Sequence, residues 1–244
     1  MTMPVTVRSN VAARVVPRGR KSDRAFFTTM AIVMTLGVFT GFAKTYSHRI
    51  AAGTATPLIH IHGAVFGAWM IFFVVQAALV ASGRTRLHRQ LGVAGAFFAA
   101  SMVVVGTVTG VIAARHGYHG PNPNDESPLA FLLFAPLRDV LVFGALTGAA
   151  LVLRRDVETH KRLMVMATLG GLVPAGFVRI AGDAIGIAAV LALLVAGPVY
   201  DWVVHRRLYG AYIWGIAVTI LSSLVFEMLG GTATWQAFAR TLVE

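Results

Sequence analysis

Four acidic side chains occupy positions that a water-soluble fold would avoid. Asp139, Asp183, Asp201 and Glu227 lie within or at the ends of long apolar runs. An ionisable group in such surroundings is costly unless it pairs or serves a site. Arg138-Asp139 is the deepest pair, about ten residues into its run, or roughly 15 Å at helical rise. Neighbours on a helix diverge by about 100°, so at least one of the two must reach another helix or a ligand. An anion or proton site and an inter-helix ion pair both fit, and Pro136 loosens the helix just before them. Arg179 and Asp183 are four residues apart, a spacing that suits a salt bridge on one helical face. Glu227 has no cationic residue within a helical turn, so if buried it would either have its pKa raised or borrow Arg138 or Arg179.

The histidines offer different chemistry. His60 and His62 sit in Pro57-Leu58-Ile59-His60-Ile61-His62-Gly63. A spacing of two puts them on nearly opposite faces of a helix, so they make a joint metal pair only if that first turn is not helical. One facing inward and one facing headgroups is the alternative, as is a haem or divalent-metal role for a single one of them. His88, His160 and His205 each precede basic residues at the start of or just after an apolar run. They could form a shared metal or haem site, since imidazole is the commonest metal ligand. Equally, they could only cap and orient the helices they adjoin. Asp201 and His205 are four apart and could form an orienting pair. His116 and His119 fall in the polar stretch 115–128, where Gly and Pro oppose regular structure. The absence of cysteine excludes disulfides, thiolate metal sites, iron–sulfur clusters and thiol catalysis. No Walker, G-x-S-x-G or H-E-x-x-H pattern is present, so no reaction class is assigned.

The elements that must hold these groups are apolar. The chain is 57% hydrophobic and only 13% charged, against about a quarter charged in ordinary soluble domains. Lipid is therefore the expected solvent. Candidate spans are 25–43, 58–81, 91–114, 129–153, 163–180, 184–204 and 209–229. The stretch 163–204 carries only Arg179, Asp183 and Asp201 as charges. As a single helix it would be roughly 60 Å long, twice the thickness of a bilayer core. Two spans with a tight turn near 179–183 are expected instead. Cytoplasmic loops collect Lys and Arg. With seven spans, 15 of the 21 basic residues fall on one side, and only Lys44, Arg49, Arg115 and Arg240 on the other. The N-terminus is then inside and the C-terminus outside. The basic residues before position 25 could belong to a signal peptide, but the run after them is long enough to span, and no Ala-x-Ala-like site follows it. Trp202 and Trp235 lie near expected interfaces. The net charge of +11 reflects this loop bias, and no aromatic-interleaved basic patch of the nucleic-acid kind is present.

A weak repeat organises the spans. Ala77-Ala78-Leu79-Val80 recurs as Ala149-Ala150-Leu151-Val152, and at the same offset His88-Arg89 recurs as His160-Lys161. His205-Arg206-Arg207-Leu208 is a third copy of His160-Lys161-Arg162-Leu163. The copies share orientation, so the chain divides into one lead helix and three parallel-repeated hairpins. Gly63-x-x-x-Gly67, Gly106-x-x-x-Gly110 and Gly182-x-x-x-Gly186 allow close helix approach. Pro136, Pro174 and Pro198 are expected to kink their spans.

The run Pro57–Gly63 with Trp69, then Leu87-His88-Arg89-Gln90-Leu91-Gly92, Thr159-His160-Lys161-Arg162-Leu163-Met164, and Tyr200-Asp201-Trp202 before Arg206-Arg207, resembles a widespread family of bacterial multi-span integral membrane proteins without an assigned activity. The resemblance covers roughly 25–238 and implies a bacterial inner membrane and a helical fold. A weaker similarity runs to cytochrome b561-like and oxidase-assembly membrane proteins, although two pairs of mid-depth histidines on facing helices are not found.

These readings converge on an all-α membrane protein: a seven-helix bundle, N-terminus in and C-terminus out. Residues 1–24 form a basic disordered cytoplasmic tail, 25–231 the membrane domain and 232–244 a short outer tail. Its partner is the lipid bilayer, not nucleic acid. A polar site in the outer half of the bundle, built from His60, His62, Arg138, Asp139, Arg179, Asp183 and Glu227, would bind or translocate a small anionic or proton-linked ligand. The alternatives are a haem- or metal-binding redox or assembly protein using His60/His62 or His88/His160/His205, and an accessory scaffold whose ion pairs are only structural.

Overall fold

The computed structural model describes residues 18–116 and 134–243. The first 17 residues of the basic tail and most of the 115–128 stretch, including His119, lie outside them. Every regular element among the described residues is an α-helix: α1 (Arg18–Ala51), α2 (Pro57–Ala81), α3 (Thr85–Arg115), α4 (Phe134–Val152), α5 (Val157–Gly171), α6 (Val173–His205), α7 (Gly210–Gly230) and α8 (Ala233–Val243). Five of them, α1, α2, α3, α6 and α7, are long and apolar enough to cross a membrane. The chain is thus a helical bundle of the polytopic membrane kind. α5, with 15 residues, reaches only about 22 Å and cannot cross a core of about 30 Å by itself.

Local chemistry sets the helix ends. Pro57 opens α2 at a position where its missing N–H costs nothing, and the Thr56 hydroxyl accepts from the Ile59 amide at 3.4 Å. Asp156 caps α5 by accepting from the Glu158 and Thr159 amides at 3.0 and 3.2 Å. The hydroxyl and amide of Thr159 hold its carboxyl below the usual carboxylate range. The ends of the chain are more helical than expected. α1 begins at Arg18, inside the stretch read as a tail. The C-terminal segment, expected to be a short tail, forms α8, whose Ala239 is buried beside Ala114, while Arg115 Nε donates to the Leu242 carbonyl at 2.7 Å.

α5 is the centre of the bundle. From Arg162 to Val173 only Met164 is less than fully buried, and α5 packs against α1, α4, α6 and α7. Around it Trp69, Met70, Met102, Phe143 and Tyr212 form the core with Met166 of α5 itself, and Trp69 is edge-on to Phe143 at 5.1 Å. The outer surface is the reverse of a soluble protein's. Phe97 is 76% exposed and Met228 78%, as expected where lipid tails replace water. Close backbone approach is local: a Cβ on Gly41 would overlap the Gly176 carbonyl, so α1 and α6 touch main chain to main chain. Gly106 and Gly110 lie against Val140 and Pro136 of α4, whereas Gly63 faces open space.

α6 is not one straight helix. Gly182 has φ 79° and ψ 173°, a conformation that essentially only glycine adopts. A Cβ on Gly186 would lie 2.6 Å from Val178 Cα, whereas eight residues of continuous helix are about 12 Å long. The chain therefore doubles back at Gly182, within the turn expected near 179–183. The fold-back returns Asp201 to Arg162, 39 positions earlier. Pro174 stands at the start of α6 and Pro198 within it.

Candidate functional site

The Arg138–Asp139 pair sits near the start of α4. Arg138 Nη1 donates to Asp139 Oδ1 at 2.5 Å, Nη2 to the Thr219 carbonyl at 2.8 Å, and Nε to Ser222 Oγ at 3.3 Å. Arg138 thus does what adjacent helix positions require and reaches a second helix, α7. The Thr219 carbonyl is heavily used, accepting also from the hydroxyls of Ser222 and Ser223 at 2.9 and 3.0 Å. Asp139 is less satisfied. Arg138 is its one polar partner among the described residues, and Oδ2 accepts no hydrogen bond from them. The two side chains keep 13% and 23% of their surface exposed, so the pair is accessible rather than sealed.

The break between α5 and α6 adjoins this pair. A Cβ on Gly171 would lie 2.7 Å from the Asp139 carbonyl, and one on Gly170 would lie 2.5 Å from Thr219 Oγ1. Two glycines in succession are what allow α5 to run this close to both α4 and α7. The helix then ends at Leu172, whose amide makes the last bond, to Thr168, at 3.0 Å. Pro174 has no N–H to offer the Gly170 carbonyl four residues back. A carboxylate, a guanidinium, two hydroxyls and an interrupted central helix meet here.

The other expected members of the site are placed differently. Arg179 donates to its own helix at Ala175 O, 2.7 Å away, and its guanidinium lies 4.3 Å from the Phe42 ring centroid. Its charge acts on His62, whose ring stacks on Phe66 at 4.1 Å. Asp183 follows the fold-back and is exposed. The four-residue spacing to Arg179 does not give an ion pair, because Gly182 breaks the helix between them. His60 is exposed and meets the Tyr46 hydroxyl at 2.5 Å, tying the end of α1 to the start of α2. Glu227 is exposed and makes no ion pair among the described residues. Contacts therefore join Arg138 with Asp139, while the contacts described for Arg179, His60 and His62 lie elsewhere and Asp183 and Glu227 are exposed.

A second charged group lies at the other end of the bundle, and much of it escaped the sequence reading. Arg162 and Asp201, both fully buried, form a two-point pair: Nε to Oδ2 at 2.5 Å and Nη2 to Oδ1 at 2.8 Å. Arg162 Nη1 donates to the Glu158 carboxylate at 2.6 Å, and the guanidinium lies 3.5 Å from the Tyr209 ring centroid. Lys161 bridges Asp23 and Glu158, each at 2.7 Å. Asp23 also meets His205 Nε2 at 2.7 Å and accepts from the Tyr200 hydroxyl at 2.9 Å. Burial pushes the Glu158 carboxyl up, but hydrogen bonds from Lys161 and Arg162 outweigh it and hold the group below its ordinary range. The Asp201–His205 spacing is present at 3.9 Å, although His205 binds Asp23 more closely. Asp23 was the overlooked signal: a lone acid among the basic residues that precede the first span.

The histidines after the repeated turns divide into two groups. His88 and His160 have ring centroids 6.4 Å apart, while His205 belongs to Asp23. His116 Nδ1 lies 2.8 Å from the Ile112 carbonyl of its own helix. Among the described residues, no three His, Asp or Glu side chains gather into a metal-binding group. No family model, curated protein or solved structure matches the chain, so its chemistry is argued from these contacts.

Proposed function

We propose that the chain crosses a bacterial inner membrane seven times, N-terminus inside, and binds a small anion together with a proton at Arg138–Asp139 in the outer half of the bundle. The count of seven is supported by the fold-back at Gly182 and by the run of α5 into the first leg of α6. Along α1, Asp23 meets Lys161 and Gly41 meets Gly176. At 1.5 Å per residue those intervals are about 27 Å and 22 Å, so α5 and the first leg climb beside α1 as one interrupted crossing. The sidedness is supported by the gathering at one end of residues 22–24, 81, 88, 150, 158–162 and 200–209, which the basic bias assigns to the cytoplasm.

The observation that carries the ligand reading is the half-satisfied Asp139 beside an interrupted central helix. Interrupted helices with unpaired carbonyls recur where membrane proteins hold small ions and substrates near the midplane. The chemistry of the pair is exclusive. While Asp139 is ionised it neutralises Arg138 and repels an anion. Once Asp139 takes a proton, Arg138 has an uncompensated charge, with the Ser222 hydroxyl beside it, and an anion can occupy the vacated position. Anion and proton therefore bind as a pair.

Thermal unfolding of the detergent-purified protein with sodium chloride, nitrate, acetate and phosphate, at pH 5 and 7.5, tests this. At least one anion is expected to stabilise the wild type, more at pH 5. A ligand at a hundred times its Kd adds about 2.7 kcal/mol. Arg138→Leu should abolish the effect and Arg138→Lys should retain part of it. Equal anion stabilisation in Arg138→Leu, or none in the wild type, contradicts the proposal.

A further inference from the structure

We propose that His88 and His160 form a two-coordinate site for a soft monovalent metal ion, Cu(I), at the cytoplasmic end of the bundle. The two imidazoles come from different helices, near the starts of α3 and α5, and lie edge-on with centroids 6.4 Å apart and planes at 72°. One ion bonded about 2 Å from a nitrogen of each ring requires a centroid separation of roughly 6 Å. Two planes turned about a shared metal axis satisfy that separation at any mutual angle.

His160 is held by main chain through one nitrogen, and His88 has a buried nitrogen that no described residue engages. His160 Nδ1 lies 2.8 Å from the Ala150 carbonyl. A carbonyl only accepts, so Nδ1 carries the hydrogen and Nε2 keeps its lone pair. His88 Nδ1 is buried without a hydrogen-bond partner. A ring fixed through one nitrogen to a carbonyl, with the other free, is the arrangement that orients metal-bound histidines. An unpartnered ring nitrogen in the interior is costly if it serves nothing.

The surroundings choose the ion. Among the described residues no carboxylate is bonded to either ring, and the charged groups acting on His88 are His160 and then the cation Arg89. Hard divalent ions need carboxylate or other oxygen ligands. Two neutral imidazoles in a cationic setting suit copper in its singly charged state, which accepts linear two-nitrogen coordination. His205 is not a third ligand, because its Nε2 is bound to Asp23, which also pairs with Lys161. The site shares no residue with Arg138–Asp139, so the two can fail separately.

The test is anaerobic Cu(I) titration of the purified full chain against the chromophoric chelator bicinchoninate, with X-ray absorption of the loaded protein. The wild type is expected to hold one Cu(I) per chain, with a two-nitrogen shell. His88→Ala and His160→Ala should each lower the affinity at least tenfold, whereas His205→Ala and Arg138→Leu should leave it unchanged. Unfolding curves of the metal-free variants, together with His160→Gln, separate loss of ligand from loss of fold. Uptake by the wild type no greater than that of the His88→Ala/His160→Ala double variant overturns the proposal. So does dependence on His60 or His62, or a preference for Zn(II) over Cu(I) at the same two histidines.

Discussion

Replacing Asp201 with Asn should be among the most damaging single changes available in this chain. Both partners of the Arg162–Asp201 pair are wholly buried, and the pair is held at two points, 2.5 and 2.8 Å. Removing one member of a buried pair leaves the other charge uncompensated and costs about 3–5 kcal/mol. Glu158 remains on Arg162 Nη1 at 2.6 Å, and Tyr209 still offers its ring face, so the low end, about 3 kcal/mol, is the expected loss. In a chain of this length that corresponds to roughly 6–12 °C in Tm. The assay is thermal unfolding followed by tryptophan fluorescence in one detergent at pH 7.5. An apolar pair, Arg162→Met with Asp201→Leu, should recover most of the loss, because desolvation of the ions is removed along with their attraction. An Asp201→Asn Tm within about 1 °C of wild type would refute the reasoning, since a guanidinium at zero exposure that has lost its two-point partner cannot be free of cost.

Two further outcomes follow from the same geometry. The chain has no cysteine, so single cysteines report sidedness without background: Ser47→Cys and Asp183→Cys should react with a membrane-impermeant maleimide from the periplasm, and Ser82→Cys only from the cytoplasm. An unreactive Asp183→Cys in folded protein would mean that α6 crosses as one helix and does not turn at Gly182. Glu158 is held below its ordinary value near 4.5, so its contribution to stability is complete above that value and is lost as the pH falls through the lower folded value. Comparing wild type with Glu158→Gln, the stability gap should be constant at neutral pH and close only in strong acid; a gap that widens as the pH falls would contradict the sign.

The sequence was most informative where one physical rule acts alone. Hydropathy located the long helices, because runs this long and apolar must be kept from water. The length of the 163–204 stretch demanded a turn, and Gly182 supplies it. Arg138-Asp139 stood out because two ionised groups in an apolar run must find partners, and Arg138 does so on α7 at Thr219. What sequence could not supply was contact between distant positions. Asp23 and Lys161 are 138 residues apart, and no local pattern relates them. Arg162 looked like an ordinary basic residue at the start of a span, yet it is fully buried, because Asp201, Glu158 and Tyr209 surround it. Arg179 and Asp183 show the opposite failure: their spacing implied a pair only on an unbroken helix. His88 and His160 were visible as a repeat, but the approach of their rings depends on how α3 and α5 pack.

The central claim is that Asp139 and an incoming anion compete for Arg138, so that binding one anion takes up one proton. Isothermal titration of the purified protein with the stabilising anion, repeated at pH 6.5 in buffers of different ionisation enthalpy, counts that proton directly. The account predicts an uptake approaching one proton per anion in the wild type and near zero in Asp139→Asn, with the anion still bound. Anion binding without proton uptake in the wild type, or equal uptake in Asp139→Asn, would contradict it.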